Sequence, residues 1–257
     1  MNGKRLKTLM KKDMITCFTN KSALMMLVTP LFFCFFYTWV LAGRDVSMAK
    51  YFVLLLACQF NLSIAPVSIL ATLIAEEKEA GTMGILYRTG VGKKEFLCAK
   101  MAAVMVILMG EALLMFVFTK MDPAFLLPYL LLHILIAVAL LPVGLIVAVI
   151  ARDQNSANVY STIPVIVLMA CPVFSYELNV LRQLSAFLPT SALSEILVSY
   201  MEKSMLHAGS GAYIGKTAWL TGSGVLAIIC CVLWFCLGTY VFLCLYRRKG
   251  FGDKSVK

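Results

Sequence analysis

Residues Ala75 to Lys100 read "AEEKEAGTMGILYRTGVGKKEFLCAK", a charged island in a chain that is otherwise strongly apolar. Acidic Glu76, Glu77 and Glu79 open it, Gly81 and Thr82 break it, and Met83 to Arg88 have the length of a short helix; a second glycine break then precedes Lys93 and Lys94. The apolar runs Tyr51 to Ala75 and Ala99 to Thr119 flank the island, and each has the about 20 residues that a helix needs to cross a hydrocarbon core. In lipid every backbone N–H and C=O must be paired within its own segment, so such runs are helices. The island therefore connects two membrane spans.

Four more runs qualify as spans: Leu24 to Ala42, Phe125 to Ile150, Tyr160 to Phe174 and Trp219 to Tyr246. The run from Tyr160 is the shortest and carries Pro164 and Pro172, which membrane helices tolerate when neighbours satisfy the freed carbonyls. Composition agrees, with 61% hydrophobic and 14% charged residues against roughly 45–50% and about 25% in a soluble domain; mean hydropathy is +0.88. None of the runs alternates as barrel strands must. The expected fold is an all-α integral membrane protein of six spans, with a basic arm (1–23), a membrane domain (24–246) and a basic tail (247–257). No small-residue cleavage pattern closes the first run, so it is expected to remain as an anchor.

The net charge of +10 has a position as well as a size. The arm, the island, Arg152 and the tail together hold seventeen of the 23 Lys and Arg, all on alternate faces of the six-span arrangement. By the positive-inside rule both termini and the island are expected on the cytoplasmic side of a multi-pass membrane protein. Basic residues are not interleaved with aromatics on one surface, so nucleic acid is not the expected partner. Cys34, Cys58, Cys171, Cys230, Cys231, Cys236 and Cys244 fall in spans, and Cys17 and Cys98 on the cytoplasmic side, which suits small packed hydrophobes better than a disulfide framework.

Within the arm, Leu6, Leu9, Met10, Met14, Cys17 and Phe18 fall near helical spacing among Lys7, Lys11 and Lys12. That pattern predicts an amphipathic interfacial helix over Lys4 to Phe18. Ser175 to Lys216 is the longest outer segment. There Leu193, Ile196, Leu197, Tyr200, Met201 and Met205 oppose Glu195, Glu202 and Lys203, which predicts a surface or partly re-entrant helix before the last span.

Enzymatic motifs fail on inspection. "GSGAYIGKT", Gly209 to Thr217, has Ser210 where a phosphate loop needs its first glycine, lacks a preceding strand, and is expected outside the cell. "EEKEAG" has Gly81 where a glutamate-type membrane protease needs arginine, and "TGSG", Thr221 to Gly224, lacks the leading glycine of a rhomboid-type motif. With no HExxH and only His133 and His207, neither a catalytic site nor a metal site is expected. Glu111 is the one carboxylate deep in a span. A charge there costs on the order of 3 kcal/mol, so it is expected to meet substrate, a proton, a structural partner such as His133, or an outer surface nearer than the run suggests. Gln59 and Asn61 suit interhelical hydrogen bonding, with a place in the pathway as the other reading.

The island resembles the loop of ABC-2 type transporter permeases, whose pattern runs approximately E-K-E-x-G-T, a Leu, T-P-V, basic residues and a closing Lys. Glu77, Lys78, Glu79, Gly81, Thr82, Leu86, Thr89, Val91 and Lys100 match it; Gly90 stands where the family usually has Pro, and Gly84 where an acid is common. The resemblance implies that this loop (76–98) carries a coupling helix docking on a separately encoded ATPase subunit. Ile85, Leu86 and Tyr87 would supply apolar contact there, and Glu76, Glu77, Glu79 and Arg88 charge, with Gly81 and Thr82 at the break. It further implies two ATPase copies that hold ATP and Mg, a second permease chain, identical or related, in the lipid bilayer, and no cofactor in this chain. On the same resemblance the expected activity is ATP-driven export of a membrane-active peptide, drug or other amphipathic compound. Two readings of other classes stand beside it: an ion- or proton-coupled secondary transporter using Glu111, and a non-transporting membrane scaffold.

Overall fold

The computed structural model describes residues 3–41, 49–175, 178–195, 197 and 224–251. Its helices are α1 (Gly3–Thr19), α2 (Lys21–Leu41), α3 (Ala49–Ser63), a π-helical turn (Ile64–Ile69), α4 (Leu70–Glu79), α5 (Thr82–Arg88), α6 (Lys93–Phe118), a 3-10 turn (Pro123–Phe125), α7 (Leu126–Ile150), α8 (Gln154–Phe174), α9 (Asn179–Ser185) and α10 (Gly224–Lys249). Among the described residues six helices are long and apolar enough to span a membrane, and there is no strand.

The second span, α3 through α4, is the hub of the bundle. Its most apolar window is 83% buried, against 17% for α10. Midway along it Pro66 has no N–H to give to the preceding turn, and the helix widens there into the π turn; the Leu70 N–H reaches back five residues to the Ala65 carbonyl. Gly144 of α7 lies against this turn. A Cβ at that position would stand 2.1 Å from the Pro66 carbonyl oxygen and 3.1 Å from that of Val67. On its other side α7 receives α10, where a Cβ on Gly238 would meet the Pro142 ring at 2.9 Å.

The fifth span starts earlier than hydropathy suggests, at Gln154 rather than Tyr160. Asp153 caps it by accepting the Ser156 N–H at 2.8 Å. Its first polar turns face protein: Asn158 donates to Ser22 Oγ (2.9 Å) and accepts from Thr72 (2.9 Å), and Ser68 and Ser161 pair at 2.8 Å. Residues that looked like loop are polar because helices meet there.

The arm is helical as expected, with Lys4, Lys7, Lys11 and Lys12 exposed and a half-buried stripe of Leu6, Leu9, Met10 and Met14 against α6. Asp13 shares that stripe and is buried. Of the outer segment, α9 and residues 191–195 are helical, and Leu193 and Leu197 are buried as an amphipathic helix requires. Glu195, expected on the polar face, is 7% exposed, because this stretch packs into the bundle: the Thr190 carbonyl accepts from Gln59 at 2.9 Å, and Thr190 Oγ1 donates to the Leu168 carbonyl at 2.8 Å. Ile196, Tyr200, Met201, Glu202, Lys203, Met205, His207 and Gly209 to Thr217 lie outside the described residues.

Gly144→Ala is expected to lower the thermal midpoint of the purified protein by several degrees, since overpacking against backbone costs about 1–3 kcal/mol. Gly110→Ala, at a position with no atom within 4 Å of an added Cβ, should leave the midpoint unchanged or raise it.

Candidate functional site

The charged island folds as a helical hairpin built on glycine. Gly81 (φ +66°) and Gly90 (φ +83°) hold left-handed conformations at the two ends of α5, which side chains with a Cβ adopt only with strain. Between them α5 buries Met83, half-buries Leu86 and Tyr87, and leaves Ile85 61% exposed beside Arg88. Val91 N–H bonds the Leu86 carbonyl at 3.1 Å, and Arg5 of α1 reaches the Gly90 carbonyl at 2.9 Å. Tyr87 packs edge-on against Phe96 at 6.0 Å. Gly81 holds the cap position of α5, and the Thr82 hydroxyl donates to the Glu77 carboxylate.

Beneath the hairpin lies a cluster of two cations and two carboxylates. Lys100, 1% exposed, sets its Nζ 2.9 Å from Asp13 Oδ1 and 3.6 Å from Glu77 Oε1, and Lys12 also pairs with Glu77. Phe96 covers the Lys100 ammonium at 4.9 Å. Burial pushes the Asp13 carboxyl above the ordinary aspartate range against the pull of Lys100. Because opposite charges balance here, each desolvated ion has a partner. The cluster ties the hairpin to α1, α4 and α6 at one point.

The three glutamates expected to face a partner subunit all have partners within the chain. Glu76 accepts from Asn20 at 3.0 Å, which also donates to Gln154 at 2.8 Å. Glu77 belongs to the buried cluster. Glu79 accepts the Gln154 N–H at 3.1 Å and so caps the first turn of α8. On α5 the outward surface falls to Ile85 and Arg88.

A family model described as ABC-2 family transporter protein matches residues 41–240. The chain belongs to the ABC-2 transporter family. As an ABC-2 permease it is a multi-pass transmembrane component of a transporter, not itself catalytic, of a kind that normally pairs with ATPase subunits. None of the curated proteins matches it significantly. The matched region holds the hub, the hairpin and most of α10, but not α1, which supplies half of the charge cluster.

The permease keeps its other candidate residues apart from the hairpin. Glu111 is buried on the inner face of α6, and neither carboxylate oxygen has a hydrogen-bond partner among the described residues. It does not pair with His133, whose Nδ1 meets the Tyr129 carbonyl at 3.1 Å and whose ring lies 4.3 Å from that of Tyr129. Asn61 donates to the Leu108 carbonyl at 3.2 Å, one turn from Glu111, and Gln59 to Thr190. Sequence reasoning passed over Asp13, Lys12 and Asn20. A lone acid among Leu9, Met10, Met14 and Cys17 on the apolar stripe was the signal for Asp13.

Lys100→Met is expected to destabilise the permease by about 3–5 kcal/mol, because it leaves the buried Asp13 carboxylate without its cation. Lys93→Met, at an exposed site, should have little effect. Thermal unfolding of both variants in detergent checks this.

Proposed function

We propose that the chain is the permease subunit of an ATP-driven exporter in the bacterial cytoplasmic membrane, with both termini and the α5 hairpin in the cytoplasm. Two such chains, or one with a related chain, would form the pathway and work with two separately encoded ATPase subunits that hold ATP and Mg. Closure of the ATPase subunits around ATP does work on the spans only through a stiff element. One observation carries this reading: a short helix, bounded by two left-handed glycines, is clamped by a buried charge cluster to three other helices. A push on Ile85 and Arg88 reaches α4 through Thr82 and Glu77, and then α6 and α1 through Lys100, Asp13 and Lys12. The spans then shift by alternating access and expel an amphipathic cargo, for which a membrane-active peptide or drug is the class we favour on family resemblance.

The test pairs the chain with the separately encoded ATPase subunit that this reading requires. Ile85→Asp is expected to cut co-purification and cargo-stimulated ATP turnover by tenfold or more, since a carboxylate replaces the apolar contact at the interface. Wild-type behaviour of Ile85→Asp in both assays would remove α5 as the docking element.

A further inference from the structure

On the same end of the bundle as α5, a groove of about 900 Å³ opens between the C-terminal ends of α7 and α10 and the flank of α8. Among the described residues Lys78, Arg152 and Lys249 line it, with no carboxylate beside them. Asp153, next in sequence, has its carboxylate engaged by the Ser156 N–H at 2.8 Å. Helix C-termini carry partial negative charge and would repel an anion. Here Lys78 cancels that charge: its Nζ donates to the carbonyls of Ala148 and Ala151 at the end of α7 and lies 5.3 Å over the Phe251 ring. Arg152 and Lys249, both exposed, are left at the rim.

The groove changes character with depth. Tyr160 stands six residues beyond the start of α8 at Gln154, about 9 Å further along the helix axis, and is 48% exposed; Ile150 is 42% exposed. A basic rim thus leads down to an apolar, aromatic wall on helices that cross the bilayer. Free phosphate would use only the rim. A molecule with an anionic phosphodiester and acyl chains uses both, and a net negative headgroup matches the two rim cations better than a zwitterion does.

From this geometry we infer that the groove is a binding site for an anionic phospholipid, its phosphate held between Arg152 and Lys249 and its acyl chains laid along Ile150 and Tyr160. The inference rests on the six spans crossing a bilayer and not on the exporter reading. It assigns a role to Arg152 and the end of α10 beyond orienting the chain.

Native mass spectrometry of the full-length chain, titrated with phosphatidylglycerol or phosphatidylcholine of identical acyl composition, tests it. Wild type should retain phosphatidylglycerol in preference. The double variant Arg152→Gln/Lys249→Gln should weaken that binding by about 25-fold, at about fivefold per cation removed, with phosphatidylcholine binding unchanged. Arg152→Lys/Lys249→Arg keeps both charges and should keep the lipid. Lys93→Gln/Lys94→Gln removes the same charge from the same face outside this groove and should have far less effect. Equal retention of the two lipids by wild type, equal losses in the two charge-removing variants, or displacement of the lipid by millimolar inorganic phosphate would each overturn the assignment.

Discussion

The contact between Lys100 and the carboxylates of Asp13 and Glu77 is the constraint on which the rest of this end of the molecule depends. An ammonium group that is 1% exposed cannot stay charged there without partners, so α1, α4 and α6 are fixed relative to one another wherever that pairing is kept. Asp13 sits on the face of the arm that hydropathy assigns to lipid or core, and it belongs there only because Lys100 arrives opposite. Glu77 in turn accepts the Thr82 hydroxyl and so sets the direction in which α5 leaves the bundle. Two glycines at positive φ turn the backbone; the ion cluster holds the turn in place.

Packing further into the bundle follows the same logic of close approach. Pro66 opens the second span into a π turn, and Gly144 lets α7 come within van der Waals distance of the carbonyls there. The hub is consequently widened and closely packed where it meets α7, while α2, α8 and α10 keep broad apolar faces outward. Those faces carry exposed Trp39, Ile163 and Leu237, as suits helices whose surroundings are lipid or another membrane chain.

Much of this was legible in the sequence, for reasons that differ by element. Long apolar runs, the amphipathic arm and the glycine-bounded helix follow from length and periodicity, which need no knowledge of neighbours. The start of α8 was not legible, since Gln154, Asn158 and Ser161 are polar in order to bond other helices. Nor were the roles of Glu76, Glu77 and Glu79: a string of acids at a membrane edge has the composition of a solvated face, and only the positions of Asn20, Lys12, Lys100 and the α8 backbone show that each is engaged. Glu111 was legible as unusual, and the structure adds that His133 is turned to Tyr129 instead.

The central claim is that a buried charge cluster makes α5 one body with the spans beneath it. Amide hydrogen exchange over residues 83–91, compared between wild type and Lys100→Met, measures that directly. The account predicts strong protection of the α5 amides in the wild type and faster exchange in the variant, with the α7 amides around Gly144 unchanged in both. Equal protection of α5 with and without Lys100 would contradict it.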